Sequence, residues 1–340
     1  MKSRLTLKNI AEEFNVSIAT VSKALKDSDD IGHKTKQKIK AYAKQHNYVP
    51  NHFALKLKED KTHTIGVLIP SILNLFFAKV FSGIEKVANL NGYNLITCIS
   101  NDSYEKEVIA TEMFMNGTVD GIIVSLAEET QKKKIYDHFN SAIDNGIELI
   151  MFDRVADEIQ CDKVIVNDFH AAYDATDFFI QTGCKNIIIL SIISETSVGK
   201  LRLDGYKKAL EDHDIPIDKN LILDVKENDD IETLLKIILG SKAIDAILCL
   251  EETSAIVALE TVKQQQYKIP EEISIIAFTN GELTKHASPK ITTVSQHGVF
   301  MGELTMNYFL KRVNSPVERE PSLKVIKTSL IQRETTKPLH

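Results

Sequence analysis

The sequence predicts an α/β protein with a small all-α head, followed by two doubly wound parallel-sheet subdomains. Three observations predict it. Leu5 to Asp27 carries two short helical apolar stripes across a tight Asn-Val-Ser junction, the spacing of a helix-turn-helix. From Thr64 onward, short near-continuous apolar runs alternate with amphipathic helices, the pattern of parallel sheets covered on both faces. Charge is polarised as well: residues 1–60 hold twelve Lys/Arg against seven Asp/Glu, a net of +5, whereas the whole chain of 340 residues is −6, leaving −11 on the other 280. A basic head on an acidic body suits an anionic partner such as nucleic acid.

In the head, Leu7, Ile10, Ala11 and Phe14 recur at i, i+3, i+4 and i+7, the buried stripe of a first helix. Ser17 stands at the N-cap of a second, and Val21, Ala24 and Leu25 supply its stripe. The outward face of that second helix carries Ser17, Ile18, Ala19, Ser22 and Lys23, with Thr20 beside them. Small, hydroxylic and cationic side chains suit a helix that enters a major groove and touches phosphates. An ordinary surface hairpin would carry the same stripes, so the following residues matter. Ile31 to Tyr48 reads as a third helix, with Ile39, Tyr42 and Ala43 on one face and lysines on the others, ended by Pro50.

In the body, the strand candidates are TIGVLIP, YNLITCIS, GIIVSL, ELIMFD, VIVND, NIIILS, LILDV, AILCL and ISIIAF. Helices are expected between most of them, at residues 77–91, 104–116, 171–182, 203–213 and 253–266. So many strands exceed one comfortable sheet, and the division is placed after Asp153-Arg154, with VIVND opening the second set. A cleft at the carboxyl ends of two such sheets is where a small ligand binds. No apolar stretch is long enough to span a membrane, and MKSRLTLKNI lacks the apolar core of a secretory signal, so a cytoplasmic protein is expected. Cys98, Cys161, Cys184 and Cys249 have neither metal-ligand nor redox-pair spacing and read as reduced packing residues.

Three blocks then bring the chain into resemblance with the lactose/galactose-repressor (LacI/GalR) family of bacterial transcriptional regulators. They are Thr6 to Ala11, Val16 to Leu25, and Tyr48 to Leu57, matching the family's Thr-Leu-x-x-Ile-Ala, Val-Ser-x-x-Thr-Val-Ser-x-x-Leu and Tyr-x-Pro-Asn-x-x-Ala-x-x-Leu. The resemblance continues along the chain and implies a head at 1–49, a hinge helix and linker at 50–61, and a periplasmic-binding-protein-like body. Its subdomains would be 62–164 plus 292–321, and 165–291 plus 322–340. The return crossings follow from the family: ITTVSQ and the helix at 299–314 go back to the first subdomain, and SLKVIKTSLIQRET finishes in the second.

The resemblance implies a homodimer on a pseudo-palindromic double-stranded DNA operator. Thr6, Ser17, Thr20 and Ser22 would position the backbone, Ile18 and Ala19 would meet base edges, and Lys23 would reach a guanine. Both base-reading residues are apolar, so they could touch a thymine methyl but make no bidentate hydrogen bond. Tyr48, Asn51 and Ala54 belong to the hinge block, and Leu57 would wedge into the minor groove. The alternative for Leu57 is a linker residue packed on the body. Leu55 stands where relatives often carry Arg.

For the effector, the resemblance picks out Ser71, Asn74, Phe76 and Phe77 after the first body strand, with Phe76 facing the ligand. Ser71 replaces the usual Asp and Leu75 the usual Pro. Asp153 and Arg154 end a strand at the cleft mouth; a surface ion pair is the plainer alternative. Arg202 matches the family's effector arginine, where a planar fork grips hydroxyls or a carboxylate. Glu251-Glu252 stands where Asn-Asp or Asp-Asp is usual, and Thr279 replaces a customary ligand-accepting Asp. Gln296 matches, while His297 replaces a Pro. No phosphate-binding, dinucleotide or nucleophile-elbow motif occurs, and no cofactor, metal or catalytic residue is expected. The sequence therefore reads as a regulator whose operator affinity is set by a sugar or sugar derivative. The alternative is a sugar-binding protein with no DNA role, which shares the body but should lack residues 1–58.

Overall fold

The computed structural model describes residues 5–46, 48, 61–226, 229–279, 281–315 and 320–339. They fall into two compact units, one up to Thr62 and one from His63 onward.

The first unit is a three-helix head: α1 (Leu7–Glu13), α2 (Ile18–Leu25) and α3 (His33–Gln45). Thr6 and Asn9 cap α1 reciprocally: the Thr6 hydroxyl accepts from Asn9 N at 3.2 Å, and Asn9 Oδ1 accepts from Thr6 N at 3.0 Å. Asn15 takes a left-handed turn at φ +49, a conformation that asparagine tolerates better than most residues. Ser17 then starts α2 by accepting from Thr20 N at 3.1 Å. Ile10, Ala11, Val21, Ala24, Ile39 and Ala43 close the core, with Phe14, Tyr42 and Tyr48 packed around it. The third helix is shorter than periodicity implies, beginning after Gly32 and ending at Gln45.

The second unit holds two six-stranded sheets. The first joins β1 (Thr64–Ile69), β2 (Asn94–Ile99), β3 (Gly121–Val124), β4 (Glu148–Phe152), β5 (Asp162–Val166) and β11 (Leu323–Ile326), in the order β11-β5-β4-β3-β1-β2, all parallel. The second joins β6 (Ile187–Ser191), β7 (Ile222–Asp224), β8 (Ala246–Cys249), β9 (Ser274–Phe278), β10 (Thr292–Ser295) and β12 (Ser329–Ile331), in the order β12-β10-β9-β8-β6-β7, with only β12 antiparallel. Helices α4 (Leu75–Leu90), α5 (Tyr104–Met115), α6 (Glu128–Lys133) and α7 (Asp137–Asp144) belong to the first lobe. Helices α8 (Asp168–Gln181), α9 (Ser197–Asp212), α10 (Ile231–Ser241), α11 (Glu252–Gln264) and α12 (Glu282–His286) belong to the second. Each sheet is sandwiched between two apolar clusters, as buried parallel strands require.

The last helix, α13 (Gly298–Val313), returns to the first lobe and crosses α4 with the two backbones almost touching. Gly83 and Gly302 permit this: a Cβ on either would drive into the carbonyl of Val299 or Val80. Fully buried Phe309 anchors the same helix, edge-on to Tyr93 with ring centroids 6.1 Å apart.

Strand membership corrects the expected boundaries in three places. VIVND does not open the second lobe: β5 pairs with β4 in the first sheet. The loop at 153–161 makes that parallel connection without the usual crossover helix. ITTVSQ stays in the second lobe, where β10 pairs with β9. The final segment splits, β11 joining the first sheet and β12 the second. The chain thus changes lobe three times, near Asn167, at Gln296-His297, and at Lys327-Thr328. His297 makes its crossing at φ +54, and its Nε2 lies 3.0 Å from Ser329 Oγ, so the second and third crossings touch.

Candidate functional site

In the head, the face of α2 that avoids the core is the one the sequence picked out. Ser17, Ile18, Ala19 and Lys23 are exposed, and Thr20 and Ser22 are half-buried. Ile18 is 49% exposed, a large apolar side chain that folding of the head does not need. Lys23 pairs with Asp30 at 2.7 Å. Both partners are largely solvated, so a phosphate or base edge could displace the aspartate at little cost. Tyr48 packs on the head core, and its backbone N–H donates to Ala43 O at 2.8 Å. Asn51, Ala54 and Leu57 lie outside the described residues.

In the body, the carboxyl ends of both sheets open on one cavity of about 540 Å³ between the lobes. A second concavity, about 530 Å³, lies at the amino ends of β4 and β5. It is less suited to a ligand, because its charges satisfy one another: Arg312 forks onto Asp162 through Nε and Nη2, both at 2.7 Å. Open parallel sheets also place ligands at their carboxyl ends.

The interlobe cavity brings together nine of the ten expected effector residues: Asn74, Phe76, Phe77, Asp153, Arg154, Arg202, Glu251, Thr279 and Gln296. Ser71 is the exception. Its hydroxyl is used in the turn before α4, accepting from Leu73 N at 3.1 Å and Asn74 N at 3.3 Å. Several of the nine also have structural duties. Asn74 Oδ1 caps α4 at Phe76 N, 2.9 Å. Glu251 caps α11 with both carboxylate oxygens, on Thr253 N at 2.6 Å and Ser254 N at 2.5 Å. Thr279 Oγ1 accepts from Gly281 N at 2.9 Å. Phe77 is core, whereas Phe76 is only partly buried.

The two arginines line the cavity from opposite lobes. Arg202 is 3% exposed, with Nε and Nη2 both on Asp168 Oδ1 at 2.7 Å, Nη1 on Leu250 O at 2.8 Å, and its guanidinium 4.3 Å over the Phe278 ring. Arg154 puts Nη1 on Asp102 Oδ1 at 2.5 Å and lies 5.5 Å over the Phe77 ring, but its buried Nε has no partner among the described residues. Asp153 is 6% exposed, strained at φ +57, and its Oδ1 is likewise unpartnered. Burial and then the neighbouring Asp168 push its carboxyl up to about 7, against the pull of Arg202 and Arg154. Burial also raises Asp168, opposed by Arg202. Gln296, 6% exposed on the second crossing, has no side-chain hydrogen bond among the described residues.

Sequence reasoning missed several lining residues. Ile192, Ile193, Val198 and Leu250 are apolar strand or helix ends with no distinguishing pattern. Asp168 and Asp102, which hold the arginines, look like ordinary helix-start and turn residues. Also missed was a clasp across the cleft: Gln131 on α6 donates to Ser197 Oγ at 2.8 Å and Val155 O at 3.2 Å, and accepts from Ser197 N, the first residue of α9, at 3.1 Å. Behind it, fully buried Glu107 accepts from Ala127 N at 2.7 Å and Thr130 Oγ1 at 2.5 Å, fixing the start of α6.

Residues 6–51 match the model of bacterial regulatory proteins of the lacI family, and residues 176–336 match that of a periplasmic binding protein-like domain. The chain is 30% identical to the HTH-type transcriptional regulator RegA of Clostridium saccharobutylicum, over 97% of this chain and 99% of that one. It is 29% identical to the ribose operon repressor of Haemophilus influenzae, over 97% and 98%. Among solved structures, the lac repressor dimer bound to operator and an anti-inducer shares the fold, with a TM-score of 0.81 at 19% identity over 98% and 99% of the two chains.

Proposed function

The chain belongs to the LacI family of bacterial regulatory proteins, and from that membership we propose an operator-binding homodimer controlled by a small polyhydroxylated effector in the interlobe cleft. It is a DNA-binding transcriptional regulator, and its relatives include named repressors. The observation that carries the reading is the division of α2 into two faces. Val21 and Ala24 are fully buried, while Ile18, Ala19 and Lys23, with the capping Ser17, form a solvent face outside the core. That face has the size and chemistry for a major groove: methyl groups for thymine, hydroxyls and a cation for phosphate and guanine. Leu57, by resemblance, opens the central minor-groove step.

A sugar-class effector is favoured by a relative named for the ribose operon and by related structures holding ribose or cellobiose. The partly buried Phe76, in a cavity that also holds Asp153 Oδ1 and Arg154 Nε, both unpartnered among the described residues, fits such a molecule. No helix among the described residues is long and apolar enough to cross a membrane. With a family made of transcriptional regulators, this favours a cytoplasmic protein whose cleft binds without turnover.

Selection from a random duplex library tests the reading. Bound sequences should converge on a pseudo-palindrome, and Ile18→Asp should abolish its capture without lowering the Tm of the head. Leu57→Ala should weaken binding to the same duplex by about tenfold or more, a ~1.4 kcal/mol loss, while leaving the dimer intact. Convergence on no sequence, or full binding by Ile18→Asp, would overturn it.

A further inference from the structure

Lys23 is the cation of the outward face of α2, and the chain supplies an anion of its own to it. Resting on the reading of α2 as the DNA-reading helix, we propose that Asp30 is a positioning residue for Lys23. It holds the lysine as a base reader and keeps it off the phosphates, so the head gains selectivity by weakening its grip on every other sequence.

The pair is set up by the loop at 26–32, not by two long side chains meeting in solvent. Asp27 takes a left-handed turn at φ +64 and is gripped from α3. Lys36 Nζ donates to Asp27 O at 3.0 Å and lies 3.3 Å from its Oδ1, and Lys40 Nζ lies 2.8 Å from its Oδ2. Ser28 N donates to Lys23 O at 3.0 Å, which ties the loop back to the last turn of α2. Ser28 Oγ accepts from Asp30 N at 3.3 Å, and Ile31 packs against the core of the head. Asp30 is thus held from both sides, and its Oδ2 accepts from Lys23 Nζ at 2.7 Å.

With side chains 54% and 65% exposed, the pair adds little to stability. Its consequence is for a third group. When Lys23 turns to a phosphate, the loop leaves the Asp30 carboxylate close by, and two anions compete for one ammonium. A guanine edge is uncharged, so O6 and N7 can take two of the three N–H donors while Asp30 keeps the third. Lys26, exposed at the end of the same helix and without an ion pair among the described residues, carries no such restraint and is left for the backbone. A repulsive element aimed at the wrong partner is a general route to specificity. Asp29 supplies the control: it is exposed, one residue away, of the same charge, and without an ion pair among the described residues.

Fluorescence anisotropy of the full chain tests this, against the duplex recovered by selection and a scrambled duplex of the same composition, across a potassium chloride series. Asp30→Asn keeps the backbone bond to Ser28 and should tighten binding to the scrambled duplex. The slope of log affinity on log salt for that duplex should steepen by about one per head, as Lys23 turns to a phosphate. The ratio of selected to scrambled affinity should fall about fivefold. Asp29→Asn, with the same change of charge, should move both duplexes together and leave the ratio as it was. In a Lys23→Met background the two substitutions should become equivalent. A ratio that Asp30→Asn lowers no more than Asp29→Asn overturns the proposal, as does a difference between them that survives Lys23→Met. Either result leaves the reading of α2 standing so long as Lys23→Met and Ile18→Asp weaken binding to the selected duplex. If neither weakens it, the DNA-reading face lies elsewhere and both fall.

Discussion

The two walls of the cleft are built from the same parts, an arginine lying on a phenylalanine and paired to an aspartate, yet only one wall is finished. In the second lobe, Arg202 and Asp168 are both 3% exposed, and three guanidinium nitrogens have acceptors. In the first lobe, Arg154 is as deeply placed, but its Asp102 partner is 40% exposed and its Nε is unmet among the described residues. Next to it stands Asp153, left-handed and with an oxygen unmet among the same residues. Strain and unsatisfied buried polar atoms persist where a ligand relieves them. Under the proposed effector reading of the cleft, the second lobe offers a preset surface, and the first lobe would complete itself on the ligand.

The largest expected effect lies on the finished wall. Arg202→Met strands a buried Asp168, and urea unfolding should show a loss of ~3–5 kcal/mol. Adding Asp168→Leu should recover most of it. Where the single variant remains folded, operator binding should persist and the effector response vanish. A loss of well under ~1 kcal/mol would erase the distinction between the walls. Asp153→Asn should act in the opposite direction. The folded-state carboxyl titrates at about 7 against an ordinary 3.8, so wild-type stability from this group is complete below about pH 4 and declines as pH rises to 7. The variant should match wild type near pH 4 and exceed it by roughly 1–3 kcal/mol at pH 8, while binding effector worse. Arg154→Met should cost ~1 kcal/mol or less, because Asp102 rehydrates. Gln131→Ala should cost least, ~0.5–1 kcal/mol, with its main effect a weaker effector response through loss of the clasp to Ser197.

The finished wall was the more legible in sequence only at Arg202 itself. Its partner Asp168 opens a helix after Asn167, where an acidic residue ordinarily just favours the dipole, and nothing local shows that a guanidinium from α9 will bury it. The head could be read almost completely because its core repeats every three to four residues within one short segment. The strands were equally visible as apolar runs. Their partners were not: β5 stays with β4 through a loop with no helix, and β10 stays with β9, because pairing is decided by how a connection folds back. The apolar cavity residues were hidden for the same reason, since a leucine ending a strand has the same sequence signature whether or not a cavity lies beyond it.

The three crossings between lobes also set an order of assembly during synthesis. The first lobe has strands β1 to β5 early, but Gly302 and Phe309, which close its sheet face against Val80 and Tyr93, arrive with the last tenth or so of the chain. The second lobe waits for β12, made later still. Neither half can be completed on the ribosome before the other is nearly finished, so the body matures as one unit after the head is already out. A nascent chain stalled before α13 would present a helical, DNA-reading head attached to a first-lobe sheet with one face still open.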